Sequence, residues 1–254
     1  MSFIAYILLA YLFGAIPWGY IIARLHGVNI QKRGSGNTGA TNIYRTLGLP
    51  AAILVFLLDV FKGVFVMLIA KFSINNHYEV AALALAVILG HTFSIFLKGK
   101  GGKGVATTFG VLLILIGWNV MIAALFAAIG LVILTGYMSI ASLILIWIFP
   151  GFFVFVEPDF AFFILGVLVT LLIYWEHRAN IDRLKEGKEL QLNIKIGLKP
   201  QKNAPPKIVS AGIPVKAVNS AQNASMKKRN NKKLPKSISK KAVNKPKKRS
   251  KKLA

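Results

Sequence analysis

The chain has 254 residues, 55% of them hydrophobic, a mean hydropathy of +0.60 and a formal net charge of +24. Only 16% are charged, against roughly 25% in soluble domains, which argues against an ordinary soluble enzyme and against a basic nucleic-acid-binding domain. The charge is divided: 14 of the 32 basic residues and all eight acids lie in 1–198, a net of +6, and the other 18 basic residues follow with no acid among them.

In chain order, apolar runs at 3–23, 51–70, 80–97, 137–156 and 160–175 approach the about 20 residues that cross a bilayer core. The first is expected to stay in the protein, since no basic segment precedes it and no small-residue cleavage site is evident. The stretch 105–134 is too long for one span and short for two, with Asn119 its only polar break. Loop charge decides it, because basic residues accumulate in cytoplasmic loops. Arg24, Lys32, Arg33 and Arg45 follow the first run, and Lys98, Lys100 and Lys103 follow the third. These loops share a side with the basic C-terminal segment only if 105–134 is crossed twice. The expectation is an all-α integral membrane protein of about seven transmembrane helices, with the N-terminus outside and the C-terminus cytoplasmic.

Cysteine is absent, which excludes disulfides and thiolate metal sites. The four His and eight acids show no metal-ligand spacing, and neither a metal nor a cofactor is expected. No internal repeat is evident.

Three polar segments fall on the cytoplasmic side. The first is Arg33-Gly34-Ser35-Gly36-Asn37-Thr38-Gly39-Ala40-Thr41-Asn42, followed by Arg45. Glycine-rich turns expose backbone amides that bind anions, and Arg45 adds a guanidinium suited to phosphate. The second runs from Gly90-His91-Thr92-Phe93 to Lys98-Gly99-Lys100-Gly101-Gly102-Lys103-Gly104-Val105-Ala106-Thr107, placing three ammonium groups on an open backbone. The third, His177-Arg178-Ala179-Asn180-Ile181-Asp182-Arg183-Leu184, follows the last span. On a helix His177 and Asn180 share a face.

Taken singly, each of the two glycine-rich loops reads as well as a tight turn or topology anchor as it does as a functional site, and His177 alone reads as an interfacial side chain; their convergence on one side is what points to function. Gly34-x-Gly36-x-x-Gly39 and Gly99-x-Gly101-x-x-Gly104 match the dinucleotide fingerprint, but that motif has meaning only between a strand and a helix. Val105-Ala106 replaces the Lys-Ser/Thr of a P-loop. Asp59 and Lys62 lie inside the second span, where ionisable groups are costly, and read as a structural ion pair.

The segments Ser35-Gly36-Asn37-Thr38-Gly39-Ala40-Thr41-Asn42, Gly90-His91-x-Phe93 with Lys100-Gly101-Gly102-Lys103-Gly104-Val105-Ala106-Thr107, and His177-x-x-Asn180-Ile181-x-Arg183-Leu184-x-x-Gly187-x-Glu189 resemble, in order and spacing, the signature loops of the bacterial acyl-phosphate:glycerol-3-phosphate acyltransferases. The resemblance covers about 1–198. It implies a seven-helix enzyme of the bacterial plasma membrane, active on the cytoplasmic side. Such an enzyme acylates the 1-hydroxyl of sn-glycerol 3-phosphate from acyl phosphate, giving lysophosphatidic acid and phosphate. Ser94 stands where the family usually has proline, and Gly99 where it has an aromatic. His177 and Asp182 also match H-x-x-x-x-D, the motif of a different acyltransferase class; the fuller match to the third loop makes this a coincidence.

Together the loop chemistry and the resemblance assign roles. His177, Asn180 and Ser35 are the expected catalytic group, with His177 and Asn180 orienting the attacking hydroxyl. Gly34, Gly36, Asn37, Gly39, Asn42, Arg45, Lys100, Gly101, Gly102, Lys103 and Gly104 are expected at substrate phosphate, and His91 and Arg183 are secondary candidates. The expected partners are acyl phosphate, glycerol 3-phosphate and the lipid bilayer. The segment 199–254 is expected to be a disordered cytoplasmic tail drawn to anionic head groups; specific nucleic-acid binding is not expected without interleaved aromatics. The competing reading is a transporter for a phosphorylated solute, although such sites lie near the bilayer midplane.

Overall fold

The structure, a computed structural model, describes residues 2–192; the expected boundary at 198 and the segment 199–254 lie outside them. The described residues belong to one compact unit bounded by Met1 and Ile196. Among them every regular element is helical. Ser2 caps α1 (Phe3–Ala15), and Pro17 separates it from α2 (Trp18–Leu25), because proline disfavours helix in the residue before it. Then follow α3 (Ala40–Leu47), α4 (Leu49–Ser73), α5 (His77–Thr92) and α6 (Val105–Leu115). The last five are α7 (Trp118–Thr135), α8 (Met138–Leu145), α9 (Ile148–Phe155), α10 (Phe160–Glu176) and α11 (Arg178–Lys185).

Among the described residues five helical spans are long and apolar enough to cross a membrane (Phe3–Leu25, Leu49–Ser73, His77–Leu97, Trp118–Thr135 and Met138–Phe155), or six if α10 and α11, bent by 54°, are taken as one span. The chain is therefore a multi-pass integral membrane protein. The expected count of seven would need α6 as well, whose 11 residues reach only about 16 Å at 1.5 Å per residue. The ambiguous stretch 105–134 is indeed two helices, but the break is Gly117 with φ +98°, and Asn119 sits inside α7.

Burial is inverted relative to a soluble protein. Ile4, Leu8, Phe61, Phe126 and Leu171 face outward, while Asp59, Lys62, Thr107, His177 and Asn180 are buried. With lipid outside, helix association depends on close packing rather than on apolar burial. Gly63 of α4 lies against the Thr107 carbonyl of α6, and Gly110 of α6 against the Val60 carbonyl of α4; a methyl at either would collide with backbone. Gly14 and Gly90 do the same for α1 and α5. At the N-terminal ends of α5 and α10, His77 Nδ1 lies 2.5 Å from Asp159 Oδ2, and Asp159 also caps α10. The opposite ends of α5 and α10 carry the polar segments.

Candidate active site

The first segment is organised around Asn42, 1% exposed in the first turn of α3. Its Oδ1 accepts from the Ser35 amide at 3.0 Å, and its Nδ2 donates to the carbonyls of Arg33 and Asn37 at 3.0 and 2.8 Å. Gly34 and Gly36 have positive φ, and a methyl at Gly34 would strike the Asn42 amide. The amides of Ser35, Gly36 and Gly39 are thus committed to Asn42, the Arg33 carbonyl and Asn37 Oδ1. Ser35, Asn37 and Gly39 lie on a cavity wall beside the first turn of α3, whose leading amides have no intrahelical acceptor and favour anions.

The second segment folds back on the end of α5. Gly101 and Gly102 donate to the carbonyls of Thr92 and His91, both at 3.0 Å, so their amides are taken as well. The glycines are needed for proximity: a methyl at Gly102 would run into the His91 ring. Ser94, the departure from proline, donates its hydroxyl to the Ala15 carbonyl at 2.5 Å and ties this segment to α1. Lys100 is exposed. Lys103 turns inward and donates to Asn180 Oδ1.

The third segment supplies the remaining groups. His177 ends α10 and opens α11; its Nδ1 is 2.8 Å from the Ile173 carbonyl. A carbonyl only accepts, so Nδ1 carries the proton and Nε2 keeps its lone pair. Asn180 donates from Nδ2 to Glu189 Oε1 at 2.6 Å, which orients Oδ1 toward Lys103. Glu189 Oε2 accepts from Arg183 Nε at 2.8 Å, and Ser139 of α8 lies 3.3 Å from Oε1. Asp182 is exposed and Glu189 is buried, so the H-x-x-x-x-D match has no buried carboxylate behind it. Beyond Glu189, Leu190 accepts from Arg45 Nη2 at 2.7 Å and the Leu192 amide donates to the Gly136 carbonyl, drawing the chain across the site.

These groups line one cavity of about 460 Å³. Of the sequence candidates, Ser35, Asn37, Gly39, Asn42, Arg45, His91, Lys103, His177 and Asn180 are on its wall; Gly34, Gly36, Lys100, Gly101, Gly102, Gly104 and Arg183 are not. The walls beyond the polar end are apolar, with Leu49, Ile53 and Phe56 from α4, Val105 from α6 and Leu125 from α7. Sequence reasoning gave no role to Ser139 or Thr41 and quoted Glu189 only within a motif. Glu189 carried one signal, a fixed offset from His177; Ser139 carried none, because only packing brings α8 to the site.

Burial sets the electrostatics. It pushes the Lys103 ammonium down to about 8, with Glu189 opposing and Arg183 adding like charge. It pushes His177 down to about 4, with the Lys103 ammonium acting in the same direction. Arg45 is also lowered by burial, against the pull of Glu189, yet a guanidinium stays protonated. At neutral pH the polar end holds the Arg45 and Lys103 cations and a neutral imidazole, beside Glu189 in its ion pair with Arg183.

A family model described as Glycerol-3-phosphate acyltransferase matches residues 4–187. The chain belongs to the glycerol-3-phosphate acyltransferase family. The Glycerol-3-phosphate acyltransferase of Thermus thermophilus is 41% identical to it over 205 residues, covering 75% of this chain and 95% of that protein. Glycerol-3-phosphate acyltransferase 2 of Lactobacillus acidophilus is 43% identical over 194 residues, 74% of this chain and 90% of that one. A crystal structure of PlsY (YgiH), an integral membrane glycerol 3-phosphate acyltransferase, in its glycerol 3-phosphate form, matches with a TM-score of 0.70 at 36% identity, covering 76% of this chain and 96% of that chain. Its lysophosphatidic acid form matches at 0.68. The acyltransferase is thus an integral membrane enzyme of phospholipid biosynthesis, and a transporter is set aside.

Proposed function

We propose that this acyltransferase moves an acyl group from acyl phosphate to the 1-hydroxyl of sn-glycerol 3-phosphate, releasing 1-acylglycerol 3-phosphate and inorganic phosphate. The observation that carries this reading is one cavity that joins a polar end, where Arg45 and Lys103 meet, to apolar walls. Arg45, Lys103 and the first turn of α3 suit two phosphates, while Leu49, Ile53, Phe56 and Leu125 suit an acyl chain.

The chemistry follows from what each group is able to do. Lys103 and Arg45 hold glycerol 3-phosphate, and Ser35 donates to the phosphoryl group of the acyl donor. The unprotonated Nε2 of His177 accepts from the 1-hydroxyl and aims its oxygen at the acyl carbon. The hydroxyl oxygen forms the new ester bond, and the bond from the acyl carbon to the phosphate oxygen breaks. An imidazole held near 4 is a weak base, well below the operating pH at which general bases are most effective. The departing phosphate, with a second pKa near that of a phosphoserine at about 6, is the better proton acceptor. Because the acyl phosphate is already activated, no covalent intermediate is needed; positioning and charge stabilisation suffice.

Basic residues in the loops support placing the polar end at the cytoplasmic face of a bacterial plasma membrane, with the N-terminus outside. The segment 199–254 is a separate basic tail attracted to anionic head groups. A peptide of that segment pelleting equally with neutral and anionic vesicles would remove this role.

The decisive experiment gives purified protein in detergent acyl phosphate and labelled glycerol 3-phosphate. One lysophosphatidic acid and one phosphate per turnover support the reading. Product from acyl thioester donors with none from acyl phosphate overturns the donor assignment.

A further inference from the structure

Asp59 and Lys62 belong to none of the three segments, yet they are 3% and 1% exposed within α4. Lys62 Nζ lies 2.9 Å from Asp59 Oδ1, so the two charges neutralise each other. Neutralisation explains how both are tolerated inside a span. It does not explain why they face the end of α5, where His91 Nδ1 is 3.5 Å from both Asp59 Oδ1 and Lys62 Nζ.

Asp59 reaches the second segment at both of its flanks. Upstream, its carboxylate and the Lys62 ammonium both face His91 Nδ1, so the buried ion pair holds the orientation of the His91 ring. Downstream, its main-chain carbonyl accepts from Thr107 Oγ1 at 3.0 Å. Between these two points, Gly101 and Gly102 are bonded to the carbonyls of Thr92 and His91, and the His91 ring lies against Gly102. The next residue is Lys103, whose ammonium meets Asn180. Close packing of Gly63 against Thr107 and Gly110 against Val60 makes α4 and α6 a stiff base for this arrangement.

We propose that Asp59, kept neutral overall by Lys62, is a positioning residue for acyl transfer. Its carboxylate holds the upstream flank of the second segment, its main-chain carbonyl holds the downstream flank through Thr107, and together they set where Lys103 meets the phosphate of glycerol 3-phosphate. The inference rests on the assignment of Lys103 to that phosphate, and the test separates the two.

Removing one member of a buried ion pair strands a charge, whereas replacing both with apolar residues of similar volume is generally tolerated. The variant is therefore Asp59→Leu with Lys62→Met, purified in detergent. Misplacing a binding group by about 1 Å costs up to about a hundredfold. The paired variant should fold, raise KM for glycerol 3-phosphate between about tenfold and a hundredfold, and leave KM for acyl phosphate within about twofold. In a Lys103→Ala background the same change should add less than about twofold, because residues acting through one group are not additive. Unchanged glycerol 3-phosphate kinetics in the folded paired variant, or a fully additive loss in the Lys103→Ala background, overturns the clamp. An unchanged KM in Lys103→Ala alone overturns the Lys103 assignment and the clamp together. If the paired variant does not fold, Thr107→Val, which deletes the downstream contact isosterically, should raise the same KM about threefold through lost positioning. An unchanged KM in that variant overturns the proposal.

Discussion

Replacing Lys103 by alanine removes a buried cation and its charge-assisted bond to phosphate. Hydrogen bonds to charged groups contribute about 1.5–3 kcal/mol, which corresponds to roughly a 10- to 150-fold loss in kcat/KM for glycerol 3-phosphate. The same loss should be reached by titration alone. Burial holds the Lys103 ammonium at about 8, so it loses its proton as the pH rises through that value. Glycerol 3-phosphate is already dianionic there, its second ionisation lying near 6 as in other phosphate monoesters. The pH profile of kcat/KM reports groups on the free enzyme. It should fall about tenfold per unit above the Lys103 value and level off at the rate of the alanine variant. Lys103→Arg, which keeps its charge throughout, should remain flat. The assay is the initial rate of labelled lysophosphatidic acid formation in detergent, at saturating acyl phosphate, with spontaneous hydrolysis of the donor subtracted. A flat wild-type profile, or the same basic limb in Lys103→Arg, would refute the reasoning.

His177→Ala should lower kcat by at least about tenfold, the low end for a positioned proton-transfer or orienting group. Because burial holds His177 at about 4, its role should persist down to mildly acidic pH and be lost only as the pH falls through that value; an inflection near 6.5 that vanishes in His177→Ala would contradict this. Glu189→Gln removes the main anionic neighbour that raises Lys103, so the basic limb of the profile should move to lower pH. A limb that stays in place in Glu189→Gln would show that Lys103 is not the titrating group.

Much of the site was legible because the chain is so apolar. In a sequence built to sit in lipid, every Gly-rich or cationic run stands out, since placing it in the bilayer is costly. The loops around Ser35, Lys103 and His177 announced themselves in this way. What was not legible was the fate of individual backbone groups. The glycines at 36, 39, 101 and 102 read as open amides, yet each amide has a protein acceptor, because loops packed against helix ends must satisfy their own donors. The helix break in 105–134 was hidden for a related reason: hydropathy measures apolarity and length, whereas the interruption is a backbone dihedral at Gly117.

The sequence by itself determined the class, the family and the three segments that carry the chemistry, since these depend on composition and local order. Only the tertiary structure decided which side chains share a cavity. Arg45, Lys103 and His177 are brought together by long-range helix packing, Ser139 arrives from α8 by the same route, and Glu189 enters because the chain after α11 folds back over the site. The fate of Asp59 and Lys62 shows the difference most plainly. An i,i+3 pair is a local fact, but its contact with His91 and Thr107 exists only because tertiary packing brings α4, α5 and α6 together, so that the Asp59 carboxylate faces His91 at one flank of the loop and its main-chain carbonyl holds Thr107 at the other.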